Sequence, residues 1–193
     1  MVGNLKHNQI QGSFDSESKV TVNFRGENNV LWIGDNVNFR TGVINFRGSN
    51  QEVRLEGNNM LLGELHLSGN NSKIRIGKGT KSNSPIWMNL GEMDDTVDIG
   101  EGCLFANVRF RTSDSHPIYD NVTGSRINHS KPIKIGNQVW IAEDVLILKG
   151  ACVGDGCVIG ARSLVTGKIP DRCIATGIPA KVIRQNIRWS EKF

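Results

Sequence analysis

The sequence predicts an all-β fold, a left-handed parallel β-helix. Three features predict it: a strict six-residue period from Ile135 to Pro170, a looser period of 21 to 23 residues between 23 and 100, and a composition rich in glycine and poor in aromatics. The 135–170 stretch reads IGNQVW IAEDVL ILKGAC VGDGCV IGARSL VTGKIP, with Ile or Val at 135, 141, 147, 153, 159 and 165. A helix needs apolar spacing of about 3.6 residues and a half-buried strand needs strict alternation, and a period of six meets neither. It fits a coil in which each hexad is a short strand plus a turn, and about three hexads close one triangular turn. The β-branched residue is then expected to point inward and to stack on its equivalents above and below. Four residues further into each hexad stand Val139, Val145, Ala151, Cys157, Ser163 and Ile169, mostly small or medium apolar fillers.

The looser repeat comes first in the chain. NFRGENNVLWIG (23–34), NFRGSNQEVRLEG (45–57), HLSGNNSKIRIG (66–77) and NLGEMDDTVDIG (89–100) align on a glycine, a polar turn and an alternating strand. Gly26, Gly48, Gly69 and Gly91 are spaced 22, 21 and 22 residues apart, and Ile33, Leu55, Ile76 and Ile99 keep nearly the same step. This predicts an 18-residue coil lengthened by about four residues in one corner, where Asn and Gly tolerate left-handed backbone. A right-handed β-helix also has coils near this length, so the hexads after Ile135 decide the hand. Residues 1–20 are expected to be a polar capping lead-in, 21–170 the β-helix, and 171–193 a C-terminal turn and cap, because stacked coils need covered ends. Between Ile99 and Ile135 the register fails: 113–132 (SDSHPIYDNVTGSRINHSKP) is polar and contains two prolines. It is expected to be a loop thrown out from the coil, and long loops of this kind are commonly functional.

Composition narrows the classes. With 38% hydrophobic and 6% aromatic residues, the expected core is a thin stack of Ile and Val. No run approaches the ~18 apolar residues of a membrane span. The N-terminal MVGNLKHNQIQGSFDSESK has no apolar segment of a secretory signal. The four cysteines (103, 152, 157, 173) show no paired spacing, so a reduced, cytoplasmic protein is expected. Residues 1–100 hold 10 Lys and Arg against 11 Asp and Glu, whereas 101–193 hold 13 against 8, and the basic excess concentrates after residue 161. Nucleic acid is not the expected partner, because no aromatics interleave with the charges. A small polyanion at the C-terminal end of the coil fits better, and a solvated basic tail is the alternative.

The runs IGEGCLFANVRFRTSDSHPIYD, PIKIGNQVWIAEDVLILKGACVGDGCVIGARSLVT and IPDRCIATGIPAKVIRQNIRW resemble the hexapeptide acyltransferases, over about residues 95–190. Within them the chain is most similar to the O-acetyltransferases of capsular and surface polysaccharides, including the polysialic acid type. The resemblance implies acetyl-CoA as donor, a glycan acceptor, a homotrimer with sites between neighbouring β-helices, and no metal.

It also implies roles residue by residue. His116, in SDSHP, matches the catalytic histidine, and an imidazole titrating near neutrality can take the proton of a sugar hydroxyl as it attacks a thioester. Asp114 or a backbone carbonyl would hold the ring tautomer. Trp140 matches a tryptophan beside the thioester arm, with packing between subunits as its other role. Ala142 stands where glycine is more usual and still lacks bulk, so that a backbone amide beside it would contact the pantetheine or the oxyanion, and Asn107 lies near a position that contacts acceptor or thioester, offset by a residue. Coenzyme A is expected against Gly160, Ala161 and Thr166, with Lys168, Lys181 and Arg184 near its phosphates. The pantetheine would lie along the coil edge like an added strand.

Other readings remain on the same fold: a small-sugar, nucleotide-sugar or amino-acid acetyltransferase, or a non-catalytic glycan-binding module. A γ-type carbonic anhydrase would need three convergent histidines, and His116 and His129, thirteen apart, form the only close pair among four.

Overall fold

Each coil of the chain lays strands on three faces of a prism, and the coils stack in parallel register. The computed structural model describes residues 5–192, so residues 1–4 of the expected lead-in and residue 193 of the expected cap lie outside the described residues. The first face runs through Gln9–Gln11, Val30–Ile33, Glu52–Leu55, Lys73–Ile76, Thr96–Ile99, Ile133–Ile135, Cys152–Val153 and Lys168–Ile169. The second carries Lys81–Ser82, Leu104–Phe105, Trp140–Ile141, Val158–Ile159 and Ile174–Gly177. The third carries Val20–Phe24, Ile86–Leu90, Arg109–Arg111, Leu146–Leu148 and Leu164–Val165. Asn38–Phe46 and Met60–Leu67 are long enough to run from the second face onto the third. The architecture is the expected left-handed parallel β-helix, with no α-helix among the described residues.

The hexads behave as their period requires. Ile135, Ile141, Ile147, Val153, Ile159 and Val165 are all buried, as are the six residues four positions on. Ser163 is the polar member of that second set; its hydroxyl donates to Gly160 O (2.6 Å) and accepts from Gly177 N–H (3.1 Å). Removing each such Val or Ile from water stabilises the coil by roughly 1.5–3 kcal/mol. The core is less uniform than a stack of Ile and Val: Phe39, Phe46, Phe105 and Phe110 are fully buried, and Phe24 stacks on Phe46 at 4.7 Å.

The extra residues of the early coils form one corner, between the third and first faces. Asn28, Asn50, Asn71 and Asp94 occupy it with φ of 57–60°. Asn28 donates to Asn50, Asn50 to Asn71, and Asn71 to Asp94 (3.3, 3.3 and 2.9 Å). A carboxylate accepts but does not donate, so the ladder ends at Asp94. Inside the same corner Asn8, Asn29 and Gln51 each donate to a glycine carbonyl of the next coil. The buried corner therefore keeps its polar groups satisfied, as burial demands.

At the C-terminal end, Ala180–Arg184 turns back antiparallel on Ile174–Gly177. The segment beyond it crosses the second face: Trp189 Nε1–H donates to Gln138 O (2.7 Å), and Glu191 pairs with Lys81 at 2.9 Å.

Candidate active site

Parallel register turns the outward residues of the third face into two rows. One runs Thr21, Val43, Glu64, Trp87, Arg109, Leu146; the other runs Asn23, Asn45, His66, Asn89, Arg111, Leu148. An open groove of about 1120 Å³ lies on this face, with Glu64, Trp87, Asn107, Arg109, Arg111 and Asp144 in its lining. Arg109 forms no ion pair among the described residues. Arg111 sits 5.9 Å from the Trp87 ring centroid.

The 113–132 segment leaves this face directly after Arg111. It lacks hexad register, as expected, yet it is held at many points. Arg111 Nη2 donates to Ser115 Oγ (3.0 Å), which ties the loop to the groove. Glu92, in the corner beneath, accepts from Ser113 Oγ (2.5 Å) and from Arg126 Nη2 (2.6 Å). Buried Asn128 donates to His116 O (2.8 Å) and to Asp114 (3.0 Å), and accepts from Ile118 N–H (2.7 Å). Lys149 pairs with Asp114 and donates to Asn128 O (3.0 Å). His116 is thus fixed through its backbone, while its exposed ring makes no hydrogen bond to another described residue.

Asp114 is therefore committed to Lys149 and Asn128. Those two partners hold its carboxyl below the ordinary carboxylate range, with Lys149 the larger cause. The Arg126 guanidinium does the same for Glu92, against the opposing effect of burial. Both groups favour the folded loop in their charged form. Their contribution is complete above an ordinary carboxyl pKa of about 4 and is lost only as pH falls through the depressed values below it. We expect hydrogen-exchange protection of the loop to stay constant from pH 8 to about 5 and to fail only below about 4. Loss of protection at pH 6 would show that another group anchors the loop.

The other sequence-predicted residues separate into distinct places. Asn107 is a corner residue (φ 49°) whose amide donates to Asp144 in the next coil, and Arg162 Nε lies 3.7 Å from the same carboxylate. Trp140 is 39% exposed on the second face, between Leu104 and Val158, with the Trp189 ring 6.1 Å away. The Ala142 N–H is used within the coil, donating to Ile159 O. Gly160 lies against Thr176, where a Cβ would come within 2.7 Å of the hydroxyl, and Thr176 pairs with Lys181. Gly160, Lys181 and Arg184 thus share the C-terminal end of the second face, with Ala161 exposed beside them. Thr166 is exposed at the corner after the third face, and Lys168 stands on the first face in line with Cys152 and Lys134.

Sequence reasoning missed the anchors Glu92, Arg126 and Lys149, and it missed Trp189. One signal was present: the corner before the loop reads GEMDD, with three carboxylates, where the earlier corners GENN, GSNQ and GNNS carry at most one. Among the described residues, no group of three or more His, Cys, Asp or Glu is arranged to hold a metal ion.

The family model for bacterial transferase hexapeptide (six repeats) matches residues 132–167. A polysialic acid O-acetyltransferase from Escherichia coli O1:K1 / APEC is 38% identical over 139 residues, 72% of this chain and 44% of the relative. The chain therefore spans less than half the length of that curated relative. A polysialic acid O-acetyltransferase from Neisseria meningitidis is 32% identical over 171 residues, 87% of this chain and 78% of the relative. In structure, the polySia-specific acetyltransferase NeuO superposes with a TM-score of 0.79 at 33% identity, over 97% of this chain and 90% of that one. A galactoside acetyltransferase in complex with coenzyme A superposes with a TM-score of 0.50 at 29% identity, over 70% and 64%. A stacked β-helix with an extruded histidine loop, alike in sequence and fold to these proteins over most of its length, belongs to the hexapeptide-repeat O-acetyltransferases.

Proposed function

We propose that this protein transfers acetyl from acetyl-CoA to a hydroxyl of a capsular or surface glycan, with His116 as general base. The observation that carries the proposal is the His116 loop. Its backbone is pinned by Asn128, its ring is left open, and Arg111 links it to the groove. In direct transfer His116 takes the proton of the acceptor hydroxyl as that oxygen attacks the thioester carbonyl. The carbon–sulfur bond then breaks and the proton passes to the departing thiolate.

The cysteines have no part in this scheme, and burial pushes the Cys103 thiol up to about 11, away from nucleophilic use. Arg109 and Arg111 on the groove face favour an acidic glycan, in keeping with the polysialic acid relatives. Lys181 and Arg184 form no ion pair among the described residues and suit the phosphates of coenzyme A, which is bound in the galactoside acetyltransferase structure. The outward Leu146, Leu148 and Leu164 are half-buried in a single chain, and their further burial would favour a homotrimer. No described helix is long and apolar enough to cross a membrane, and acetyl-CoA as donor fits a cytoplasmic site of action.

The test is acceptor-dependent release of CoA thiol from acetyl-CoA over a panel of oligosaccharides, oligosialic acids included. The expected result is release that depends on one class of acidic glycan. No release with any acceptor, together with no CoA binding by calorimetry, would overturn the reading and leave a glycan-binding module.

A further inference from the structure

The hydrogen bonds beneath the groove have a direction. Asn23 Nδ2 donates to Asn45 Oδ1 (2.8 Å), which leaves the Asn45 amide nitrogen facing His66 Nδ1 at 2.9 Å. An amide nitrogen only donates, so His66 Nδ1 accepts and the neutral ring carries its proton on Nε2. That Nε2 lies 2.7 Å from Glu64 Oε2. The Asn23–Asn45–His66 run therefore delivers one N–H to one carboxylate.

The pairing is unusual for a purely structural ladder. The same row carries Asn at 23, 45 and 89, and histidine interrupts it at 66. His66 is 8% exposed, whereas the Glu64 side chain is 51% exposed and lines the groove. A single hydrogen bond to a carboxylate half in solvent adds little to stability, about 0.5–1.5 kcal/mol, so stability alone does not explain why a buried imidazole orients a solvated carboxylate. Trp87 pairs in register with Glu64, one strand away, and its ring lies 6.0 Å from His66.

An apolar ring face beside a fixed acceptor matches a pyranose, which offers a C–H face to an aromatic and hydroxyl donors to a carboxylate. We propose that Glu64, held by His66, and Trp87 form a sugar subsite of the acceptor groove that sets acceptor specificity. Glu64 is two strands, roughly 10 Å, from the Arg109–Arg111 strand that leads to the His116 loop. The subsite therefore grips a part of the glycan that does not react. Glu64 and Trp87 touch the sugar, and His66 acts through Glu64 as a positioning residue. The subsite rests on the acetyl-transfer reading for its role, although not for its existence.

The test compares acceptor KM, acetyl-CoA KM and kcat in the wild type, Glu64→Gln, Trp87→Leu, His66→Asn and His66→Gln, with the most active oligosaccharide as probe. Glu64→Gln and Trp87→Leu are expected to raise acceptor KM roughly tenfold to a hundredfold, with kcat and acetyl-CoA KM within about twofold. His66→Asn restores the residue of its neighbouring rungs and keeps the fold, yet it too should raise acceptor KM. His66→Gln retains an N–H near the Nε2 position and should recover part of the loss. Unchanged acceptor KM in Glu64→Gln and Trp87→Leu overturns the subsite and leaves O-acetyl transfer standing. If the wild type transfers nothing and binds no coenzyme A, oligosialic acid binding is measured by calorimetry. Binding that is lost in Glu64→Gln and Trp87→Leu then upholds the subsite and sinks the transfer reading, and no binding by the wild type overturns both.

Discussion

His116→Ala is expected to lower acceptor-dependent turnover by about 100-fold or more, with coenzyme A binding retained. General-base catalysis by a positioned side chain contributes about 10²–10⁴ in rate, and a sugar hydroxyl is too weak a nucleophile to do without it. The substitution is clean for a structural reason. The loop is anchored through the His116 carbonyl, which accepts from Asn128, and through Ser113, Arg126 and Asp114, none of which needs the imidazole. Thermal stability and loop protection should therefore match the wild type, and the loss should appear in kcat rather than in either KM. Full activity in His116→Ala would remove the residue from the mechanism. A loss of activity that tracked a loss of loop protection would assign it a structural part instead.

The fold was legible wherever one rule repeated at short range. Each hexad places a β-branched residue inward, and each early corner needs left-handed residues, so the period and its Asn–Gly insertions were written in the chain at fixed steps. What escaped was held by unrepeated partners far apart in sequence. Glu92 and Arg126 are 34 residues apart, Asn107 and Asp144 37, and Trp189 and Gln138 51, and no period announces such pairs. The candidate site divides in the same way. His116 was singled out by its motif, whereas the use of Asp114 on Lys149, and of Asn107 within a corner ladder, depends on which coil lies next to which. The groove escaped for a related reason. Its rows gather single residues from six strands, and each of them alone reads as an ordinary outward position.

Gly63→Ala is expected to cost about 3 kcal/mol or more of stability, among the largest effects of any single methyl group in this chain. Asn38–Phe46 and Met60–Leu67 round the corner from the second face to the third as continuous strands, bending at the paired Gly42 and Gly63. Gly63 has φ of 131°, and a Cβ there would stand 1.9 Å from Ile86 O and 2.6 Å from Ile86 N. The colliding atoms are backbone of the next coil, which no rotamer change can move aside. Strained backbone costs of the order of 1–3 kcal/mol and overpacking typically a further 1–3. Gly79→Ala is the control: its φ is also positive, at 72°, but nothing lies within 4 Å, so a loss of about 1 kcal/mol is expected from backbone strain alone. Because stacked coils are stabilised by their nearest neighbours, the damage should fall at one interface. Urea unfolding should then separate into two steps, with residues N-terminal to Ile86 melting before the hexads. Single-step unfolding with a loss no greater than in Gly79→Ala would show that the two coils can slide apart at this corner. The close stacking of Gly42 and Gly63 would then be a convenience of the bend and not its cause.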